Sequence, residues 1–229
     1  MEKKLGLPIT GIASFAKYPI CNDLKDLEQK PGCGILGIPY DLGVGCLSGT
    51  RLGPRRIREA STQYGRGSDG FYNPEDDEVY LHGENIAADF GDVNVVANSL
   101  TETQKNISIK VRSLIKQGII PVILGGDHSI SIGVSQGLDK FSEITAIQID
   151  AHLDWSHQKL GNGSPMRRMS EMNHISKMVQ IGLRGVGSSK KSDFIDAKNY
   201  GDVLISREQL RKIGIDNAVK LIPESKYYY

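Results

Sequence analysis

The chain has 229 residues, 39% of them hydrophobic and 24% charged, which is enough apolar material for one sizeable core. Its 28 basic side chains against 27 acidic ones leave a formal net charge of +1 with no long run of either sign, which argues against a nucleic acid or a membrane surface as the main partner. Three cysteines, Cys21, Cys33 and Cys46, without a CxxC pair suit a reducing compartment, and the absence of a signal-like apolar run points to the cytoplasm.

Apolar strand-like runs alternate along the chain with amphipathic ones. GILGIPY at 34–40 is the first strand candidate, and GPRRIREASTQYG at 53–65 a helix with Pro54 near its first turn and Gly65 at its end. Residues 65–77, GRGSDGFYNPEDD, read as a long polar loop before a strand at 86–91. TETQKNISIKVRSLIKQG, 101–118, opens with Thr101 and Gln104 in capping-box register and closes on Gly118. Strands follow at 119–126, 144–152, 178–185 and 202–206, then a helix over 206–224 opened by Ser206, and finally KYYY. Apolarity in these strands is continuous rather than alternating, so both sheet faces should be covered. The pattern predicts an α/β protein of three αβα layers around a mainly parallel sheet, as a single domain over 1–229.

In such a sheet, ligands bind outside the carboxyl ends of the strands. IQIDAHLDW at 147–155 ends its apolar run in Asp150, His152 and Asp154, at steps of two that put all three on one side of an extended segment. The preceding strand, PVILGGDHS, ends in Asp127, His128 and Ser129, so two adjacent strand ends would converge imidazoles and carboxylates. Asp127 reads as a cap for the residues after it. His128, Asp150, His152 and Asp154 together read as a metal site, because carboxylates buried this close repel unless a cation joins them. Oxygen and imidazole donors without thiolate favour Mn²⁺, with Ni²⁺, Co²⁺ and Zn²⁺ as alternatives, and Asp150 is the candidate bridge between two ions.

GGDHS at 125–129 and DAHLD at 150–154 resemble two signature motifs of the ureohydrolase family, which includes arginase and agmatinase. GIPYDLG, SGTRLGPRRIREAS, SPMRRMSEM and VQIGLRG agree in order and spacing, and ITGIASFAKYP is similar to the lead-in of agmatinase-type members. The resemblance implies an arginase-like fold, His128 and Asp154 on one manganese, His152 on the other, and Asp150 bridging them around a nucleophilic hydroxide. It also implies a small guanidino substrate, cleaved to urea and an amine, and a homo-oligomer. Agmatine leads, with guanidinobutyrate, guanidinopropionate and guanidine as rivals.

Two departures from the family pattern matter. Where members carry a His-Gly pair, this chain has Asn162-Gly163, and asparagine cannot titrate. Asn162 and Ser164 are candidates for substrate contact, and His157 for the vacant proton-transfer role. The family also continues past a strand like KYYY into a third motif, SxDxDxxDP, and later a guanidinium-binding glutamate. The chain is therefore expected to be incomplete beyond Tyr229, and inactive and poorly stable by itself. A catalytically silent relative that binds a partner or metal is the competing expectation.

Overall fold

Leu36, Ile38, Ile144 and Met178 are all at most 1% exposed, because helices cover both faces of the strands that carry them. The computed structural model describes residues 7–23, 25, 29–65 and 67–229. In chain order the elements are β1 (Cys33–Ile38), α1 (Gly53–Ser61), β2 (Phe71–Asn73), β3 (Glu78–Tyr80), β4 (Ala87–Asp92), α2 (Leu100–Lys116), β5 (Ile120–Gly125) and α3 (Ile130–Gln136). There follow β6 (Ile144–Ile149), α4 (Pro165–Ser170), β7 (Ile175–Leu183), α5 (Lys191–Tyr200), β8 (Val203–Ser206), α6 (Arg207–Ile213), α7 (Ile215–Val219) and β9 (Tyr227–Tyr228). Among the described residues no helix is long and apolar enough to cross a membrane.

The parallel α/β architecture matches the expectation, but hydrogen bonding divides the strands, apart from the β2–β3 pair, into two sheets. One runs β4-β1-β5 and the other β8-β7-β6-β9, each wholly parallel. KYYY adds to the second sheet only as the short β9, which pairs Tyr227 with Ile144 and Tyr228 with Thr145. A cavity of about 480 Å³ lies between the two sheet edges, lined by Ile119, Ile120 and Pro121 on one side and Tyr227 and Tyr228 on the other.

Local chemistry explains where the elements depart from the sequence pattern. The cap of α2 is Ser99, whose hydroxyl accepts from the Glu102 N–H, and not Thr101, which lies inside the helix. The expected polar loop contains the β2–β3 hairpin, where Phe71 and Tyr72 face Tyr80 and Val79 across a turn. Asn73 and Asp76 fasten that turn by accepting from the Glu75 and Glu78 backbones. The helix expected over 206–224 breaks into α6 and α7 at Gly214, whose φ of 78° and ψ of 166° suit glycine alone. Helices α3, α4 and α5 carry no clear stripe in the sequence; Ile130, Ile132, Gly133, Val134 and Ser135 bury most of α3, leaving no polar face to reveal its period.

Arg58 ties α1 to β4. Its guanidinium donates through Nε and Nη2 to Asp89, at 2.8 and 3.0 Å, and through Nη1 to Asp92 at 2.6 Å. This ion cluster, buried at Arg58 and Asp89, holds the helix that follows β1 against the edge strand of the first sheet.

Candidate metal centre

The site is built where β5 and β6 end. Gly126 passes so close to β1 that a Cβ there would stand 2.4 Å from the Tyr40 carbonyl oxygen and 2.5 Å from that of Ile38. Asp127 then locks the loop: one carboxylate oxygen accepts from the Ser129 N–H and the other from the Gly43 N–H, both at 2.8 Å. Asp127 therefore serves the local backbone in the turn before α3, whose cap position is Ser129 and not Asp127, and His128 is the group presented beside it.

After β6 the chain turns rather than continuing extended. Asp150 accepts from the backbone N–H of His152 at 2.8 Å, which closes a tight turn, and its Oδ1 stands 3.1 Å from His152 Nδ1. Asp154 adopts a left-handed φ of 54°. That conformation is costly for an aspartate, and the carbonyl of Asp154 offsets the cost by accepting from Met166 and Arg167 at the start of α4. The expected alternation of side chains along one face thus does not bring the carboxylates together; the turn does. Nor are the two strands adjacent, as their motifs led one to expect. β5 and β6 belong to different sheets and are not hydrogen-bonded neighbours.

Convergence happens across that boundary. His128 Nδ1 lies 2.8 Å from Asp154 Oδ2, and His128, Asp150 and Asp154 each offer a ligand atom within 4.8 Å of the others. Asp154 is 8% exposed, whereas the side chain of His152 is 61% exposed and stands outside this trio, next to Asp150. The donor set fits a divalent cation, since it offers only oxygen and imidazole nitrogen. Separations of 2.8 and 3.1 Å are also those of neighbouring ligand atoms around one ion with bonds of about 2.1 Å.

The remaining sequence candidates sit elsewhere. His157 is exposed and lies 3.4 Å from Asp196, in a separate group with Asp193 where Arg167 already donates to Asp196 at 2.7 Å. Asn162 is bound through its backbone N–H to the Gly43 carbonyl. Ser164 is fully buried and its hydroxyl donates to the Gly161 carbonyl, which fixes the loop entering α4. A cavity of about 260 Å³ adjoins the trio, lined by His128 and Asp150 together with Ser131, Gln148, Met166 and Tyr229. Gln148 is not among the sequence candidates; its only signal there is a lone amide inside the apolar run IQI.

The family model described as "Arginase family" matches residues 31–226, which include both convergent loops. The chain belongs to the arginase family. An uncharacterized 32.2 kDa protein of Methanothermus fervidus is 34% identical over 81% of this chain and 62% of its own length. The human mitochondrial guanidino acid hydrolase is 31% identical over 76% of this chain and 49% of its own. For the mitochondrial agmatinase of Gallus gallus the figures are 31%, 76% and 51%. The chain thus spans about half to three-fifths of the length of these relatives. A Trypanosoma cruzi formiminoglutamase described with Mn²⁺ shares the fold, with a TM-score of 0.73 and 21% identity over 87% of this chain and 70% of that one. This arginase-family chain therefore has the parallel α/β architecture of its relatives.

Proposed function

We propose that this arginase-family protein hydrolyses a guanidino compound at a pair of divalent metal ions. The observation that carries the reading is the meeting of His128, from the first sheet, with Asp150 and Asp154, from the second. His128 and Asp154 would hold one ion, His152 the other, and Asp150, which is grouped with the first two and stands 3.1 Å from His152, would serve both. Manganese suits the donors, and the formiminoglutamase named above is described with Mn²⁺; Ni²⁺, Co²⁺ and Zn²⁺ are the alternatives. Divalent ions at this position would supply Lewis acidity, which lowers the pKa of water towards neutrality and answers the low reactivity of a resonance-stabilised guanidinium carbon.

The protein's own residues prepare the site. Asp154 is aimed by the Gln148 amide, which donates to it at 2.8 Å. Met166, 2% exposed, lines the cavity beside His128 and Asp150 with apolar surface. His157, paired with Asp196, gains no support as the proton donor, and the buried Ser164 hydroxyl none as a substrate contact.

Agmatine is the leading substrate. The curated relatives are named for agmatine and for guanidino acids, so guanidinobutyrate and guanidinopropionate are the rivals. Arginine would require extra donors for its α-carboxylate. The same reading makes the protein a cytoplasmic homo-oligomer acting on a small molecule. The test is urea release from agmatine, the two guanidino acids and arginine, with manganese present, by a version of the chain extended to the length of its relatives. Agmatine should be fastest; faster turnover of arginine would overturn the assignment, and manganese binding without urea from any of them would favour the silent relative. Asp150→Asn should abolish activity more completely than His152→Asn, and equal, mild losses would count against a bridging Asp150.

A further inference from the structure

We infer that Gln180, which touches none of the candidate ligands, aims Asp154 through a one-directional chain of buried amides that starts at the indole N–H of Trp155. The inference rests on the metal-binding reading above and names Gln180 as a positioning residue for it. Gln180 on β7 and Gln148 on β6 are register partners on neighbouring strands, so their side chains lie side by side. Trp155 Nε1 donates to Gln180 Oε1 at 3.0 Å. The Gln180 amide nitrogen donates to the Leu153 carbonyl at 2.7 Å and to Gln148 Oε1. Gln148 Nε2 donates in turn to Asp154 Oδ2, the oxygen that stands 2.8 Å from His128.

The direction of this chain follows from its ends. An indole N–H only donates, and a backbone carbonyl only accepts. Together they permit one orientation of the Gln180 amide, oxygen towards Trp155 and nitrogen towards Leu153. That nitrogen then requires the oxygen of Gln148, which leaves the Gln148 N–H facing the carboxylate. Gln148 by itself could turn either edge to Asp154, since the two edges of an amide have nearly the same shape. The wrong edge would set a carbonyl oxygen against a carboxylate in a site where Gln180 is 0% and Gln148 8% exposed, and would swing Asp154 away from His128. Gln180 therefore decides the geometry of a ligand it does not contact, and its second bond pins the carbonyl of the residue just before that ligand.

The experiment compares manganese affinity in the unmodified protein, Gln180→Met and Trp155→Phe, alongside the visible spectrum of bound Co²⁺ and the melting temperature of each metal-free form. Gln180→Met should bind manganese at least about tenfold more weakly, the usual scale for losing an outer partner of a metal ligand, and should shift the Co²⁺ spectrum. Trp155→Phe keeps the ring packed near Tyr200, whose centroid is 5.8 Å away, and removes one of the two groups that orient Gln180. It should weaken binding measurably, by less than Gln180→Met does. A residue that served only packing would lower the melting temperature of Gln180→Met and leave affinity and spectrum unchanged, and that result would overturn the inference. If Gln180→Met does not fold, Trp155→Phe decides alone, with unchanged affinity overturning it. Absence of manganese binding in the unmodified protein would instead sink the metal reading, and this inference with it.

Discussion

Asp202 sits at the turn from α5 into β8 with both carboxylate oxygens buried and lacking hydrogen-bond partners among the described residues. Burial pushes its pKa from 3.8 to about 7, and the nearby Trp155 N–H, whose hydrogen bond goes to Gln180, lowers it only in part. The folded protein thus keeps a proton on Asp202 between about pH 4 and 7, while the unfolded chain has already lost it. Stability should fall as pH rises through that window, by at most about 1.4 kcal/mol per unit. Asp202→Asn cannot titrate and should remove that slope, so its melting temperature should gain on that of the parent between pH 5 and 8. A difference between the two proteins that does not change with pH would contradict this. Isolated groups of this kind are not legible in a sequence. His128, Asp150, His152 and Asp154 were legible because ligand types crowd into two short segments, whereas Asp202 and Gln180 are ordinary residues until burial gives them their properties.

Two elements carry predictions that follow from their ends. Ser99, not Thr101, holds the free N–H groups of α2, so Ser99→Ala should cost about 1 kcal/mol and Thr101→Ala markedly less. Denaturant melts of the two variants would distinguish the caps, and a larger loss for Thr101→Ala would restore the capping box read from the sequence. Between α6 and α7, Gly214→Ala should cost about 1–3 kcal/mol, since a φ of 78° with a ψ of 166° is accessible to glycine alone. A neutral result would mean that the break is not required. The sequence pattern ran through this glycine because apolar residues continue on both sides of it; Ile215, Val219 and Leu221 are nevertheless exposed, so the periodicity there does not report a buried face.

At the level of the whole molecule, the candidate centre joins two sheets that do not hydrogen-bond to each other through β5 and β9. A ligand held by His128 on one side and by Asp150 and Asp154 on the other links them directly, so binding should stabilise the fold by mass action. Manganese at a hundred times its dissociation constant should add about 2.7 kcal/mol relative to the chelator-treated protein. His128→Asn should remove most of that gain while changing the metal-free melting temperature little. If the manganese-dependent shift survived His128→Asn intact, the ion would not be joining the two sheets.

The sequence by itself determined the fold class and singled out four candidate ligands, of which His128, Asp150 and Asp154 meet in the structure. Continuous apolarity in strands and the clustering of hard donors are local properties, and each survives without knowing which strands are neighbours. Tertiary structure decided the rest. It placed β5 and β6 in separate sheets, replaced an extended DAHLD by a turn in which Asp154 has positive φ, and drew His157 to Asp196 and Ser164 to Gly161. It also set two glutamines, 32 residues apart, side by side behind a carboxylate. Such arrangements depend on which backbone segments pack together and which polar atoms lose access to water, and neither is written in the spacing of residues along the chain.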